Sequence, residues 1–184
     1  CSSPAPSCPC WRANRRPLSS TCHRAWQLSP KKPAPFTAPP KPRYLFSTPF
    51  ELPLNSKITS AFGNARTFNG ELKSYHSGTD YRAAVGTAVR AANDGVVVIA
   101  KDRYYAGGSV VIDHGGGIYS QYYHLSEIKV TLGDHVHKGD EIALSGESGR
   151  VSGPHLHFGI AINGVSVNPL SFVAKFNEVV FGER

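Results

Sequence analysis

From Leu52 onward the chain consists of short apolar runs separated by Gly and Asp. The runs are rich in β-branched residues, and turn sequences separate them. Such runs at intervals of about 8–12 residues are typical of strands in an all-β sandwich or barrel. No segment keeps a 3.6-residue apolar period over a dozen residues, so no long helix is predicted. The clearest predicted strands cover residues 96–100, 109–112, 118–123, 141–144 and 155–162.

Two stretches of this body share the order strand, glycine turn, strand. Residues 85–89 lead to an Asn-Asp-Gly turn, and residues 132–136 lead to a Lys-Gly-Asp turn. Biotinyl and lipoyl carrier domains have a similar pattern, with a modified lysine between hydrophobic residues, often Met, at a hairpin tip. Lys138 lies in no such motif, and the chain contains no Met. The repeat therefore favours a compact, barrel-like sandwich over a carrier function.

The first quarter of the chain differs sharply in composition from the rest. Residues 1–53 contain 12 of the 14 Pro, and every Gly lies at or after Gly63. Proline fixes φ and lacks a backbone donor, so such a segment favours an extended chain over a packed core. We therefore predict a Pro-rich, basic, disordered tail over residues 1–47 and a folded domain over residues 48–184.

The distribution of charge and cysteine excludes several classes of protein. Residues 1–50 carry eight Lys or Arg and no acid, whereas residues 51–184 carry 12 Lys or Arg and 13 acids, so the net charge of +7 is +8 and −1. A basic nucleic-acid-binding domain is therefore not indicated. No apolar run approaches the roughly 18 residues of a membrane span. All four Cys lie at or before Cys22, which excludes a disulfide-stapled body.

Histidine supplies the candidate chemistry, because imidazole is a common metal ligand and titrates near neutral pH. In the predicted strand at residues 155–162, His155 and His157 point to the same face, about 7 Å apart. They are either two ligands, or one ligand and one base. His135 and His137 have the same spacing, but they lie in a polar turn region that favours a solvated surface. His114 precedes three glycines and is expected to make a turn contact.

Two further segments add to this set. His76 and Asp80 flank a glycine and lead into a strand, so they offer one nitrogen and one oxygen ligand. His124 ends an aromatic strand. Together His76, Asp80 and His157 form a set of three protein ligands, which is typical of catalytic rather than structural zinc sites. His124 and His155 remain available to transfer protons.

In these motifs the sequence resembles the lysostaphin/LytM-type zinc metallopeptidases of the bacterial cell wall. The resemblance covers about residues 58–172. It includes the family's H-x-G-x-D and Tyr-x-His-Leu motifs and an unchanged Gly-Pro-His-Leu-His-Phe. In this chain the matches begin at Ile58 and continue at His76, Gly78 and Asp80, at Gly86, Val89, Ala91, Gly95 and Val97, at Tyr122–Leu125, at Gly153–Phe158, and at Asn168 and Pro169.

The resemblance implies a compact antiparallel β-sheet or barrel sandwich, LytM-like and of the duplicated hybrid motif type, with a groove across the sheet. It implies zinc (Zn²⁺) bound by His76, Asp80 and His157. It also implies His155 as general base, and His124 as a group that stabilises developing charge or assists proton transfer.

For function, the resemblance implies a zinc-dependent endopeptidase that hydrolyses amide bonds in peptidoglycan stem peptides or cross-bridges. D-Ala–diaminopimelate cross-links are favoured over Gly-Gly bridges. The alternative is a non-catalytic domain of the same fold that binds the wall or activates another hydrolase. We expect an extracytoplasmic monomer with a peptide substrate, no nucleic-acid partner and no transmembrane segment. An upstream regulatory domain is compatible with the resemblance.

Overall fold

The computed structural model of the chain describes residues 43–68 and 70–182. The strands are β1 (Ile58–Ser60), β2 (Ala65–Phe68), β3 (Glu71–Tyr75), β4 (Thr79–Arg82), β5 (Ala88–Arg90), β6 (Gly95–Arg103), β7 (Gly107–Asp113), β8 (Ile118–Ile128), β9 (His135–Val136), β10 (Glu141–Ser145), β11 (His155–Ile162) and β12 (Val165–Val167). One helix, α1 (Pro169–Phe181), follows them. Within the described residues no helix is both long and apolar enough to cross a membrane.

Ten of the strands form one sheet whose main path runs β1-β4-β11-β8-β7-β6-β9. Strand β10 pairs with β5 and β8, β12 pairs with β11, and β2 and β3 form a separate hairpin. Every pairing is antiparallel. The prediction of a mainly antiparallel β domain is confirmed.

The two similar stretches of sequence pair reciprocally with each other. Strand β5 of the first half pairs with β10 of the second, and β6 of the first pairs with β9 of the second. The Gly86 N–H donates to Ser145 O and the Ser145 N–H donates to Thr87 O, both at 2.8 Å. In the same way, the Gly133 N–H donates to Val97 O at 2.8 Å, and the Val97 N–H donates to Asp134 O at 2.9 Å. Both turn glycines have positive φ, 87° and 92°, which side chains rarely adopt.

The expectation that no segment forms a long helix is wrong for α1. Asn168 caps its start, because its side-chain oxygen accepts from the N–H groups of Leu170 and Ser171. Pro169 takes a first helical position, where its missing N–H costs nothing. Phe172 and Phe176, one turn apart, pack on Phe50. The apolar residues at 172, 173, 176, 179 and 180 do follow a helical period, but over nine residues only, which is shorter than the dozen sought in the sequence.

The predicted tail of residues 1–47 lies mostly outside the described residues, and residues 44–46 near its end contact the body. The Leu45 N–H donates to His114 O at 2.9 Å, and Tyr44 forms a bridge with Gly115. The Phe46 ring packs edge-on against Phe50, with centroids 4.8 Å apart. Phe46 also packs against Phe176 of α1, so this segment joins the same aromatic cluster as the helix.

His114 is a structural histidine buried beneath this aromatic cover. Its Nδ1–H donates to the Asp94 carbonyl, and its Nε2 accepts from the Ser120 hydroxyl, both at 2.7 Å. One neutral tautomer therefore satisfies both ring nitrogens. Burial lowers its pKa to about 4, against the partial opposing effects of the Asp94 backbone and of the Asp113 and Asp94 charges.

The low pKa of His114 should make the domain acid-sensitive. Between pH 6.5 and 4 the His114 imidazole is protonated in the unfolded chain but not in the folded chain. The free energy of unfolding therefore falls as the pH falls. The contribution is on the order of 3 kcal/mol. Denaturant titrations across this range should show a shallower pH dependence for His114→Gln than for the wild type. Equal slopes would contradict this role for His114.

Candidate metal centre and active site

Three buried donors converge where β4 meets β11. His76 lies just before β4, Asp80 lies within it, and His157 lies on β11 directly opposite Asp80 in the register. His76 Nε2 is 2.9 Å from Asp80 Oδ1, and His157 Nδ1 is 2.8 Å from the same oxygen. The two nitrogens are 3.0 Å apart. Among the described residues, this is the one group of three His, Cys, Asp or Glu side chains that could hold a metal ion.

The donor set fits zinc. The His76 Nδ1–H can donate to the Ala61 carbonyl at 2.9 Å, which leaves a lone pair on Nε2 toward the cluster. A backbone partner of this kind fixes the ring orientation of metal-binding histidines. Two imidazole nitrogens and one carboxylate oxygen, with room for a further ligand, are typical of catalytic zinc sites.

The charges of the cluster also suit a cation. Burial raises the pKa of the Asp80 carboxyl, but hydrogen bonds and charges from His157 and His76 outweigh it, so this pKa lies well below its usual value. Burial lowers the pKa of His157, although the Asp80 carboxylate opposes the shift. Asp80 is thus anionic and His157 neutral at pH 7, which are the forms that bind metal.

Gly78 allows the loop between His76 and Asp80 to lie against β11. A Cβ at this position would be 2.5 Å from the Phe158 carbonyl oxygen and 2.6 Å from His157 Nε2. No side chain fits at these distances without moving either the backbone of β11 or the imidazole. The glycine between the two predicted ligands is therefore a steric requirement of the cluster.

Gly78→Ala should destabilise the domain by about 3 kcal/mol. This is the upper end of the usual cost of overpacking, because the added Cβ would clash with backbone as well as with a side chain. It should also weaken zinc binding by about 10- to 100-fold, which is the usual effect of mutating a residue that holds a metal ligand in place. Thermal unfolding and metal titration measure the two effects. Gly153→Ala is the matched control, because its added Cβ would meet nothing within 4 Å. Equal behaviour of the two variants would contradict the steric argument.

His155 lies two residues before His157 on the same face of β11. Its Nδ1–H can donate to the Gly153 carbonyl at 2.8 Å, and its Nε2 lies 3.9 Å from Asp80 Oδ1. The backbone contact thus holds the proton on Nδ1 and presents an unprotonated Nε2 to the cluster. This is the geometry of a base that accepts a proton beside the metal.

His124 lies next to His155 and His157 at the edge of the cluster. Its ring centroid is 4.8 Å from that of His155 and 6.1 Å from that of His157. Its Nδ1–H can donate to the Ser148 carbonyl at 3.0 Å, so its Nε2 is also unprotonated. Burial lowers its pKa to about 4. Its φ of 64° is unusual for a residue with a side chain, and such strained backbone often occurs at functional sites.

Sequence reasoning missed three side chains that lie in or beside the cluster. The Tyr123 ring stacks parallel to His157 with centroids 5.3 Å apart, and the Arg103 guanidinium carbon lies 4.6 Å from the centroid of the Tyr123 ring. Strand alternation contains this signal, because buried Tyr122 faces the core and Tyr123 must face the histidines. The third is Arg66, whose Nη2 lies 3.9 Å from Asp80 Oδ2. No sequence pattern indicates this approach.

The remaining predicted histidines lie outside the cluster, as the sequence pattern suggests. His135 is exposed on β9. The His137 side chain is 82% exposed and lies 3.7 Å from Asp94. The structure thus brings together His76, Asp80, His124, His155 and His157, which are the five residues of the predicted site.

Comparison with known proteins identifies this arrangement. The model of Peptidase family M23 matches residues 74–169, just over half of the chain. The chain belongs to Peptidase family M23. The matched span includes all five residues of the cluster. The M23 domain therefore has the family affiliation that its motifs predict.

Curated relatives of the M23 domain include proteins that are named DD-endopeptidases or DD-carboxypeptidases. Peptidoglycan DD-endopeptidase ShyA of Vibrio cholerae is 46% identical over 95 residues, which cover 52% of this chain and 22% of that protein. DD-carboxypeptidase/endopeptidase Mpg of Neisseria meningitidis is 43% identical over 109 residues, covering 59% and 25%. The chain thus spans about a quarter of the length of these relatives.

Solved structures support the same assignment. A zinc-containing peptidase from Vibrio cholerae matches with a TM-score of 0.63 and 34% identity, covering 66% of this chain and 39% of that one. The catalytic domain of lysostaphin from Staphylococcus simulans matches with a TM-score of 0.57 and 30% identity, covering 65% and 92%. The predicted fold and zinc cofactor are confirmed by the family, these neighbours and the donor set.

Proposed function

We propose that the M23 domain is a zinc-dependent peptidoglycan endopeptidase that hydrolyses amide bonds of stem peptides, with D-Ala–diaminopimelate cross-links as its substrate. The observation that carries this proposal is the buried cluster of His76, Asp80 and His157 with the unprotonated Nε2 atoms of two further histidines beside it. The relatives named DD-endopeptidases support the choice of bond. We further propose that the domain acts outside the cytoplasm, as a monomer.

His76, Asp80 and His157 would hold the zinc ion. When bound, zinc supplies a Lewis acid that polarises the scissile carbonyl and makes water more acidic. The cluster is buried on the sheet side, so the substrate approaches from the side of His155 and His124. Low local dielectric strengthens every electrostatic interaction made there.

His155 would act as the general base. Its Nε2 accepts one proton from the attacking water while the water oxygen bonds to the carbonyl carbon. The imidazolium that forms retains its Nδ1–H bond to the Gly153 carbonyl, which stabilises the charge. When the C–N bond breaks, Nε2–H can return the proton to the leaving amine nitrogen, as expected for one group that serves in turn as base and acid.

His124 presents an acceptor rather than a donor in its neutral form, because the Ser148 carbonyl holds its only proton. Its Nε2 can therefore orient the attacking water or the substrate N–H. This favours a role in proton transfer over direct stabilisation of the carbonyl oxygen. Protonated His124 would be needed for the second role.

Digestion of defined muropeptides, with products identified by mass, tests the proposal. Cleavage of a D-Ala–diaminopimelate cross-link that a chelator abolishes and added zinc restores would support it. Cleavage at Gly-Gly bonds alone would overturn the choice of substrate. Wall binding without hydrolysis of any muropeptide, in zinc-loaded protein, would favour the non-catalytic alternative.

A further inference from the structure

The two loops that contact His124 also line an open cleft of about 380 Å³, which takes no part in the proposed hydrolysis. Tyr104 and Tyr105, at the turn between β6 and β7, line one side of it. Gly149 and Arg150, in the loop between β10 and β11, line the other. The cleft therefore lies between two loops that meet at one end of the site.

The two loops are locked together by their backbones, so the cleft is preformed. The Arg150 N–H donates to Tyr105 O at 3.0 Å. A Cβ on Gly149 would be 2.4 Å from Gly107 N and 2.7 Å from Tyr105 O, and the φ of Gly149 is 79°. Only glycine permits this close approach. A preformed site loses little conformational entropy when it binds a ligand.

The same loops hold His124, which places the cleft at a fixed position relative to the catalytic groups. The Ser148 carbonyl, adjacent to Gly149, accepts from His124 Nδ1 at 3.0 Å. The Ala106 carbonyl, adjacent to Tyr105, accepts from the His124 N–H at 2.8 Å. Both loops that line the cleft therefore contact His124 directly through their backbones.

The lining groups suit an anionic, partly apolar ligand. Tyr104 and Tyr105 are 86% and 65% exposed, and their rings pack edge to face at 4.9 Å. Arg150 is exposed, and within the described part of the chain no carboxylate pairs with its guanidinium. The guanidinium fork matches a carboxylate in a two-bond geometry. Its charge favours a carboxylate over an uncharged sugar.

We propose that this cleft, the Arg150 subsite, binds a free carboxylate of the substrate peptide next to the scissile bond. The inference rests on the proposed function and adds a specificity determinant to it. Diaminopimelate carries a carboxyl group outside the peptide chain, so a cross-link of this kind offers such a ligand. Arg150 binds the carboxylate, and the two tyrosines pack against the adjoining aliphatic chain.

Matched cross-linked peptides that differ only by carboxylate or carboxamide at this diaminopimelate group test the subsite. The wild type should prefer the carboxylate by about tenfold in kcat/KM, as expected for one charge-assisted contact open to solvent. Arg150→Gln should abolish this preference through KM, with kcat within about twofold. Arg150→Lys should keep part of it. Lys101→Gln removes an exposed charge from β6 of the same hairpin and should keep all of it.

A binding measurement separates failure of the subsite from failure of the proposed function. With His155→Ala protein, the carboxylate peptide should shift the backbone NMR signals of Gly149 and Arg150, and the carboxamide peptide should shift them far less. Equal cleavage of both peptides by the wild type and by Arg150→Gln would overturn the subsite and leave the function intact. If the wild type cleaves neither peptide, the NMR shifts alone decide: their presence supports the subsite, and their absence overturns it.

Discussion

Replacing His157 with Ala should remove the bound zinc and lower muropeptide hydrolysis by at least about 10³-fold. The Lewis acid contributes several kcal/mol, and each 1.4 kcal/mol is a factor of ten in rate. His157 supplies the nitrogen that lies 2.8 Å from Asp80 and 3.0 Å from the His76 nitrogen, so its loss opens the cluster. Metal analysis of the purified variant and single-turnover rates measure the two effects.

His137→Ala is the matched control for this variant. His137 ends a second His-x-His sequence, but its side chain is 82% exposed and lies outside the cluster. The control should keep one zinc per chain and full activity. A melting curve for His157→Ala separates loss of metal from loss of fold. Folded His157→Ala that retains its zinc would refute the ligand assignment.

His155→Ala should give the opposite combination, with zinc retained and turnover lowered by about 10²–10⁴-fold, the usual contribution of a general base. The His155 Nε2 is 3.9 Å from Asp80 Oδ1, beyond the distances of the three ligand atoms, so the metal does not depend on it. Zinc content and the rate at saturating substrate measure the two effects.

His135→Ala serves as the control for His155→Ala, because it is the first residue of the exposed His-x-His pair. It should be indistinguishable from the wild type. If His155→Ala instead loses its metal while His157→Ala keeps it, the roles of ligand and base are reversed. Loss of metal from both would enlarge the ligand set to four protein side chains.

The strands could be predicted from sequence because their residues carry a local signal. The sequence pattern predicts a strand over residues 155–162, and β11 covers these same residues. The sequence does not indicate the hairpin of β2 and β3, because the segment is largely polar. Every residue of the hairpin whose burial the structure describes is exposed. Helix α1 escapes prediction for a different reason, since its helical apolar period extends over nine residues only, from Phe172 to Val180.

Some features of the candidate site can likewise be predicted from the sequence, and others cannot. Strand alternation alone places His155 and His157 on one face, and the structure confirms that both approach Asp80. The contact of His157 with His76 joins residues 81 apart in the chain, so only the register between β4 and β11 can bring them together. The backbone carbonyls of Gly153 and Ser148 fix the tautomers of His155 and His124. No pattern of side chains in the sequence predicts such backbone contacts.

The reciprocal pairing of the two similar halves has a consequence for how the chain folds. The glycine turn of each half hydrogen-bonds to a strand of the other half, so neither half completes its backbone pairing by itself. These contacts join residues about 36–59 apart, and long-range pairing of this kind forms slowly. His76 and Asp80 precede the first half and His157 follows the second, so the metal ligands meet only when the whole span between them is in place. Zinc therefore stabilises only the complete domain. A chain truncated during synthesis gains neither the metal nor peptidase activity.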